Sequence, residues 1–151
     1  MNYGRVLITG GRGFIGVNLV KTLLPTFEVC VFDNLSRASP TGWVDGNADF
    51  FDGDILNSSN LEVALQGVSH VVHLAAFGSV IESIEDPVEN FSVNAFGTLK
   101  VLQSAVKAGV KHFVFASTGG ALIGDCTPPV DESSLPKPIS PYGASKLAGE
   151  A

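Results

Sequence analysis

Short apolar runs alternate along the chain with longer segments whose apolar positions recur at helical spacing. Arg5-Val6-Leu7-Ile8-Thr9 predicts a first strand, and Phe14 to Leu24 a helix that stops before Pro25. Glu28-Val29-Cys30-Val31-Phe32-Asp33 predicts a second strand with an acidic last residue. A polar loop with Pro40, Gly42 and Gly46 leads to a short third strand over 48–51, then Asp54-Ile55 and a weak helix over 59–65. His70-Val71-Val72-His73-Leu74 predicts a fourth strand opening into Ala75-Ala76-Phe77. The longest helix is expected over 87–108, with Asp86 as its cap, Pro87 in first position and Gly109 at its end. A fifth strand over 111–117 gives way to a Gly- and Pro-rich loop over 119–139. Ser140-Pro141 then opens a last helix. Strands alternating with helices in this way predict one α/β domain around a parallel sheet.

The strand-to-helix junction Thr9-Gly10-Gly11-Arg12-Gly13-Phe14-Ile15-Gly16 is the strongest local signal. Gly11, Gly13 and Gly16 fit GxGxxG, and Gly10, Gly13 and Gly16 fit GxxGxxG. Such a turn lets a pyrophosphate rest on free backbone N–H groups at a helix N-terminus, where the dipole favours negative charge. Asp33 ends the second strand about twenty residues further on, where a carboxylate can accept both hydroxyls of an adenosine ribose. Its charge favours NAD over NADP, although Arg12 and Arg37 leave NADP open. Tyr142-Gly143-Ala144-Ser145-Lys146 puts a phenol and an ammonium on one helical face, where the cation favours the phenolate that a base requires. Either motif alone is also what a plain glycine turn or an exposed helix face looks like.

Composition narrows the class further. The chain has 151 residues, 45% of them hydrophobic and 16% charged, with a net charge of −6. A buried-strand interior fits that balance, and no basic stripe is present to engage nucleic acid. The apolar run near the N-terminus is only Val6-Leu7-Ile8, against about seven to fifteen residues in a secretory signal and about twenty in a membrane span. Cys30 and Cys126 share no CxxC spacing, so two free thiols in a reducing cytoplasm are expected. His70, His73 and His112 flank strands without a further ligand at metal spacing, so they read as strand-end or surface histidines and no metal is expected. Trp43 reads as a local packing residue, and the ten phenylalanines mostly as core.

The ordered set TGGRGFIG, VFDNLSR, GDI, HLAA, VNAFGT, FVFAST and SPYGASKLAGE, spanning essentially all 151 residues, resembles the extended short-chain dehydrogenase/reductases, and among them the NAD-dependent epimerases and dehydratases of nucleotide sugars. The resemblance implies a Rossmann-type doubly wound sheet binding NAD over 1–151, truncated after the fifth strand and the start of the catalytic helix, with the substrate-binding region lying outside this chain. It implies that Gly10, Gly13, Gly16 and the amides of Phe14 and Ile15 meet the pyrophosphate. Asp33, Asn34, Ser36 and Arg37 would surround the ribose, and Asp54 and Ile55 would frame the adenine. Leu74, Ala75 and Ala76 would line the cofactor, with Asn94 supporting the site. Thr118, Tyr142 and Lys146 would form the catalytic group, with Ser117 as the alternative hydroxyl and Lys146 also on the nicotinamide ribose.

The implied reaction is epimerisation of a nucleotide sugar, most simply a UDP-sugar, by hydride removal and return at one carbon. A net oxidoreductase of the same family, or a catalytically inactive NAD-binding fragment, is the alternative. Two departures bear on this. Dehydratases of the family carry Asp-Glu directly after the threonine, where this chain has Gly119-Gly120, and a tyrosine common before glycine is replaced by Ile123. The family also implies a homodimer built through the long helix and the tyrosine helix.

Overall fold

Val6, Leu7, Ile8 and Thr9 are all buried, so both faces of the first strand are covered, as befits the middle of a parallel sheet. The computed structural model describes residues 3–39 and 48–151; Trp43, with Pro40, Gly42 and Gly46, lies outside the described residues. The strands are β1 (Arg5–Thr9), β2 (Glu28–Asp33), β3 (Asp49–Asp52), β4 (Val68–His73) and β5 (His112–Phe115). All pair in parallel, in the order β3-β2-β1-β4-β5. The order reverses between β1 and β4, and the carboxyl ends of those two strands bound the crevice where doubly wound sheets hold ligands. The expected Rossmann-type α/β fold is what the chain adopts.

One sheet face, Val6, Ile8, Val29 and Val31, packs with Val20 of α1 (Phe14–Leu23) and with Leu19 and Leu23 of the same helix. Leu7, Cys30, Phe32 and Val71 are equally buried, and α2 (Ser58–Ala64) packs against β2 with Leu61 and Ala64 inside. β3 and β5 are the edge strands, and Val114 of β5 is exposed.

The chain resolves into two compact units, Met1–Ala75 with Lys100–Ala116 and Ala76–Leu99 with Ser117–Ala151. The first holds the whole sheet. The second gathers α3 (Val80–Glu85), α4 (Pro87–Phe91), α6 (Gly119–Ile123) and α7 (Pro141–Glu150), and α7 packs against the other three.

Four expectations need correction. The single helix over 87–108 is α4, a π-helical turn over Ser92–Gly97, and α5 (Thr98–Ala108). Within that turn the Thr98 hydroxyl donates to the Asn94 carbonyl at 2.6 Å, so a side chain enters the backbone ladder. α3 lies outside the helices that periodicity predicts, although Ser79-x-x-Glu82 is a capping signature and the Ser79 hydroxyl accepts the Glu82 N–H. α6 occupies what reads as loop, because a diglycine carries no helical signal of its own. The phenylalanines are also less central than their pattern implied. Phe32 is fully buried, whereas Phe14, Phe50, Phe91 and Phe96 are exposed.

Candidate functional site

In the first unit the glycine turn is shaped by close backbone approach. Gly10 has φ +67°, and a Cβ there would lie 2.7 Å from the Ala75 nitrogen. A Cβ on Gly16 would meet the Gly10 carbonyl oxygen at 2.5 Å. Both glycines are demanded by packing. Gly13 differs, because an added Cβ would touch only the Gly10 oxygen, at 3.2 Å. That position is a cradle open to the outside, and it caps α1 with no side-chain hydrogen bond. No acidic residue occupies the helix's first turn, so the N–H groups of Phe14 and Ile15 offer unneutralised positive dipole to an anion. The residues present therefore fit a pyrophosphate.

The Asp33 carboxylate is turned onto this loop. Its Oδ2 accepts the Arg12 N–H at 2.9 Å and its Oδ1 accepts the Leu35 N–H at 2.8 Å. Leu35 is held in the left-handed region at φ +61°, a strained conformation sustained by that bond. Each carboxylate oxygen keeps a further lone-pair direction for a ribose hydroxyl. Asn34 and Asp54 come together, with the Asn34 amide donating to Asp54 Oδ2 at 3.1 Å, while Ser36 donates twice to Asn34 Oδ1. Asp54 Oδ1 accepts the Leu56 N–H, so the residue expected to face adenine also shapes its own turn. Arg37 is exposed and Ile55 buried. Thr9, not singled out from sequence, ties the end of β4 to β1. Its carbonyl accepts the Leu74 N–H, and its hydroxyl accepts the Ala75 N–H and meets His73 Nδ1 at 2.6 Å. His73 is thereby a buried structural residue.

In the second unit α7 is fixed from several sides. Ser140 caps it by accepting the Gly143 N–H. The buried Ser83 hydroxyl accepts the Tyr142 N–H at 3.1 Å from α3. Gly143 is needed because a Cβ would collide with the Ala121 carbonyl of α6. Thr118 is the residue at the N-cap position of α6, so this close approach connects the threonine's helix to the tyrosine's. Tyr142 is half-buried and Lys146 almost wholly buried. Ala76 is half-buried and Ser117 exposed. Asn94 is buried, and its amide is spent on Phe77, Asn90 and Ser145. A cleft of about 740 Å³ is lined by Ser117, Thr118, Ile123, Cys126, Glu132 and Glu150 among others, but not by Tyr142 or Lys146.

Burial pushes the Lys146 ammonium down to about 8 from 10.5, with Glu150 opposing the shift. Because the folded value is depressed for a base, the penalty on the charged form is fully present below about 8 and lifts as pH rises toward 10.5. Stability should therefore gain from this group across that window, and Lys146→Met should flatten the gain. Urea unfolding of both proteins between pH 7 and pH 10, roughly spanning the titration, checks this, and parallel curves would refute it.

Among the described residues no cluster of three His, Cys, Asp or Glu could hold a metal, and no helix is long and apolar enough to cross a membrane.

A carboxylate-bound glycine turn at the switch point of a doubly wound sheet is the arrangement found in dinucleotide-binding folds. The chain belongs to the NAD dependent epimerase/dehydratase family, whose model matches residues 6–151. It is 36% identical over 148 residues to a putative UDP-glucose 4-epimerase of Methanocaldococcus jannaschii, covering 96% of this chain and 48% of that protein. Among solved structures, the Thermus thermophilus UDP-glucose 4-epimerase in complex with NAD superposes with a TM-score of 0.91 at 43% identity, covering 97% of this chain and 48% of that one. A dTDP-glucose 4,6-dehydratase from Streptomyces venezuelae, with NAD bound, gives 0.90 at 37% identity, over 97% and 49% of the two chains. The chain thus spans about half the length of the relatives it matches.

Proposed function

We propose that this chain binds NAD and carries the catalytic residues of a cytoplasmic UDP-sugar 4-epimerase that works as a homodimer. The observation that carries the reading is the Asp33 carboxylate, bonded to the Arg12 N–H beside an uncapped helix start. A negative group there takes ribose hydroxyls and repels a 2′-phosphate. The open cradle at Gly13 supports the pyrophosphate assignment, with Phe14 and Ile15 as donors.

When bound, NAD supplies reversible hydride acceptance. Tyr142, assisted by the Lys146 ammonium, takes the proton from the sugar hydroxyl and later returns it to that same oxygen, as the carbonyl carbon regains hydride on its opposite face. The Thr118 hydroxyl donates to the reacting oxygen. Epimerisation is favoured over dehydration because Gly119 and Gly120, directly after Thr118, offer no acid or base.

Titrating NADH against the chain and following nicotinamide emission tests the cofactor assignment. Asp33→Ala should weaken binding by about ten- to a hundredfold, since it removes charge-assisted bonds to two hydroxyls, and NADPH should bind more weakly than NADH. Unchanged affinity in Asp33→Ala, with circular dichroism showing an intact fold, would sink the assignment.

A further inference from the structure

Ser145 sits between the two catalytic candidates of α7 and plays no part in the chemistry above. It is fully buried, and such a hydroxyl must be hydrogen-bonded to be tolerated. Its Oγ accepts from the Asn94 amide at 2.9 Å and lies 2.8 Å from Asn90 Oδ1 and 2.9 Å from the Tyr142 carbonyl, its two possible acceptors. Asn90 and Asn94, one helical turn apart across the start of the π turn, are themselves buried. Both donate to the Phe77 carbonyl, at 3.0 and 3.2 Å, and Asn94 Oδ1 accepts the Phe77 N–H at 2.8 Å. Phe77 directly follows Ala75 and Ala76. One side chain of α7 is therefore joined, through two amides, to the backbone of Phe77.

We infer that Ser145, acting through Asn90 and Asn94, is a positioning residue that fixes the rotation of α7 about its axis and so the direction in which Tyr142 and Lys146 are presented. Neighbouring residues on a helix differ by about 100° in direction, so holding Ser145 inward determines where Lys146 and Tyr142 point. Local capping by Ser140 holds the start of the helix but leaves this rotation free. The cluster is also built to survive loss of the hydroxyl. Without it the Asn94 amide keeps the Phe77 carbonyl, and Asn90 Oδ1 keeps the Asn94 amide at 3.4 Å. Removing the hydroxyl loosens the connection to α7 and orphans neither asparagine.

The inference rests on the reading that Tyr142 and Lys146 face the nicotinamide end of a bound dinucleotide, so the test separates that end from the adenosine end. The chain and its Ser145→Ala variant are titrated with NADH, followed by nicotinamide emission, and with ADP, followed by calorimetry. In Ser145→Ala the emission of saturated NADH should fall about threefold or more while ADP affinity stays within about twofold. Asn90→Ala should behave alike, and the double variant should be no worse than the worse single, as expected of residues acting as one unit. Should Ser145→Ala fail to fold, Ser145→Cys, which keeps the volume with a weak hydrogen-bonding group, carries the same comparison. Unchanged emission in the variants, or ADP and NADH affinity falling in parallel as a general loss of structure would produce, overturns the positioning role. Wild-type chain that binds neither ligand would overturn the dinucleotide reading, and this inference with it.

Discussion

Replacing Tyr142 with phenylalanine should lower the proposed 4-epimerisation of a UDP-sugar by about 10²- to 10⁴-fold, the usual share of a positioned acid-base group. NADH binding should change little. The reason lies in how α7 is held. Its N-terminal N–H groups are taken by Ser140 and Ser83, its packing by Gly143 against Ala121, and its buried face by Ser145. None of these contacts uses the phenolic oxygen, so the variant keeps the helix and loses only the proton acceptor. Initial rates for both proteins, with circular dichroism as the control for folding, decide it. A variant that retains turnover would remove Tyr142 as the base and shift attention to another group on the same helix.

The second large effect is a contrast inside one motif. Gly10→Ala should lower the free energy of unfolding by about 2–4 kcal/mol, from a left-handed backbone that disfavours a Cβ and from collision with another backbone segment. The Cβ would fall 2.7 Å from the Ala75 nitrogen and 2.8 Å from its Cα, both backbone atoms at the end of β4 that cannot rotate away. Against a typical stability of about 5–15 kcal/mol this is a severe loss. Gly13→Ala should be nearly silent in the same denaturant experiment, because the Gly10 oxygen at 3.2 Å needs to yield only slightly. It should instead weaken NADH binding by about tenfold or more, since the methyl group fills the cradle a pyrophosphate would enter. The two alanines thus exchange phenotypes, one losing fold and the other losing ligand. If Gly13→Ala bound NADH like the wild type, the pyrophosphate would not lie over that turn.

Much of the candidate site is legible in the sequence alone. A strand ending in a carboxylate marks Asp33, and glycines between a strand and a helix mark the turn proposed to hold a pyrophosphate. The last helix followed from Ser140-Pro141, whose cap the structure contains. These signals are local, and local signals survive in a sequence. Ser79-x-x-Glu82 is an equally local signal, a capping signature that marks the start of α3 and so the position of Ser83.

The remaining determinants share a physical character. Thr9, Ser83, Asn90 and Ser145 are small polar residues with no distinctive spacing, and each matters only through a partner far along the chain. Gly143 resembles any glycine in a helix until the Ala121 carbonyl is seen against it. The split of the glycine motif into Gly10 and Gly16, needed for packing, and Gly13, open to a ligand, is likewise invisible in a row of letters.

By itself, then, the sequence determined the alternation of strands and helices, the acidic end of β2, and the phenol and ammonium four residues apart. Periodicity, capping and turn chemistry act over a few residues, and they are written there. Only the tertiary structure decided which glycines carry the fold, that the long helix contains a π turn, and that a buried serine of the last helix is hydrogen-bonded to two buried asparagines. Those outcomes depend on long-range hydrogen bonds and backbone contacts, which exist only once distant segments meet.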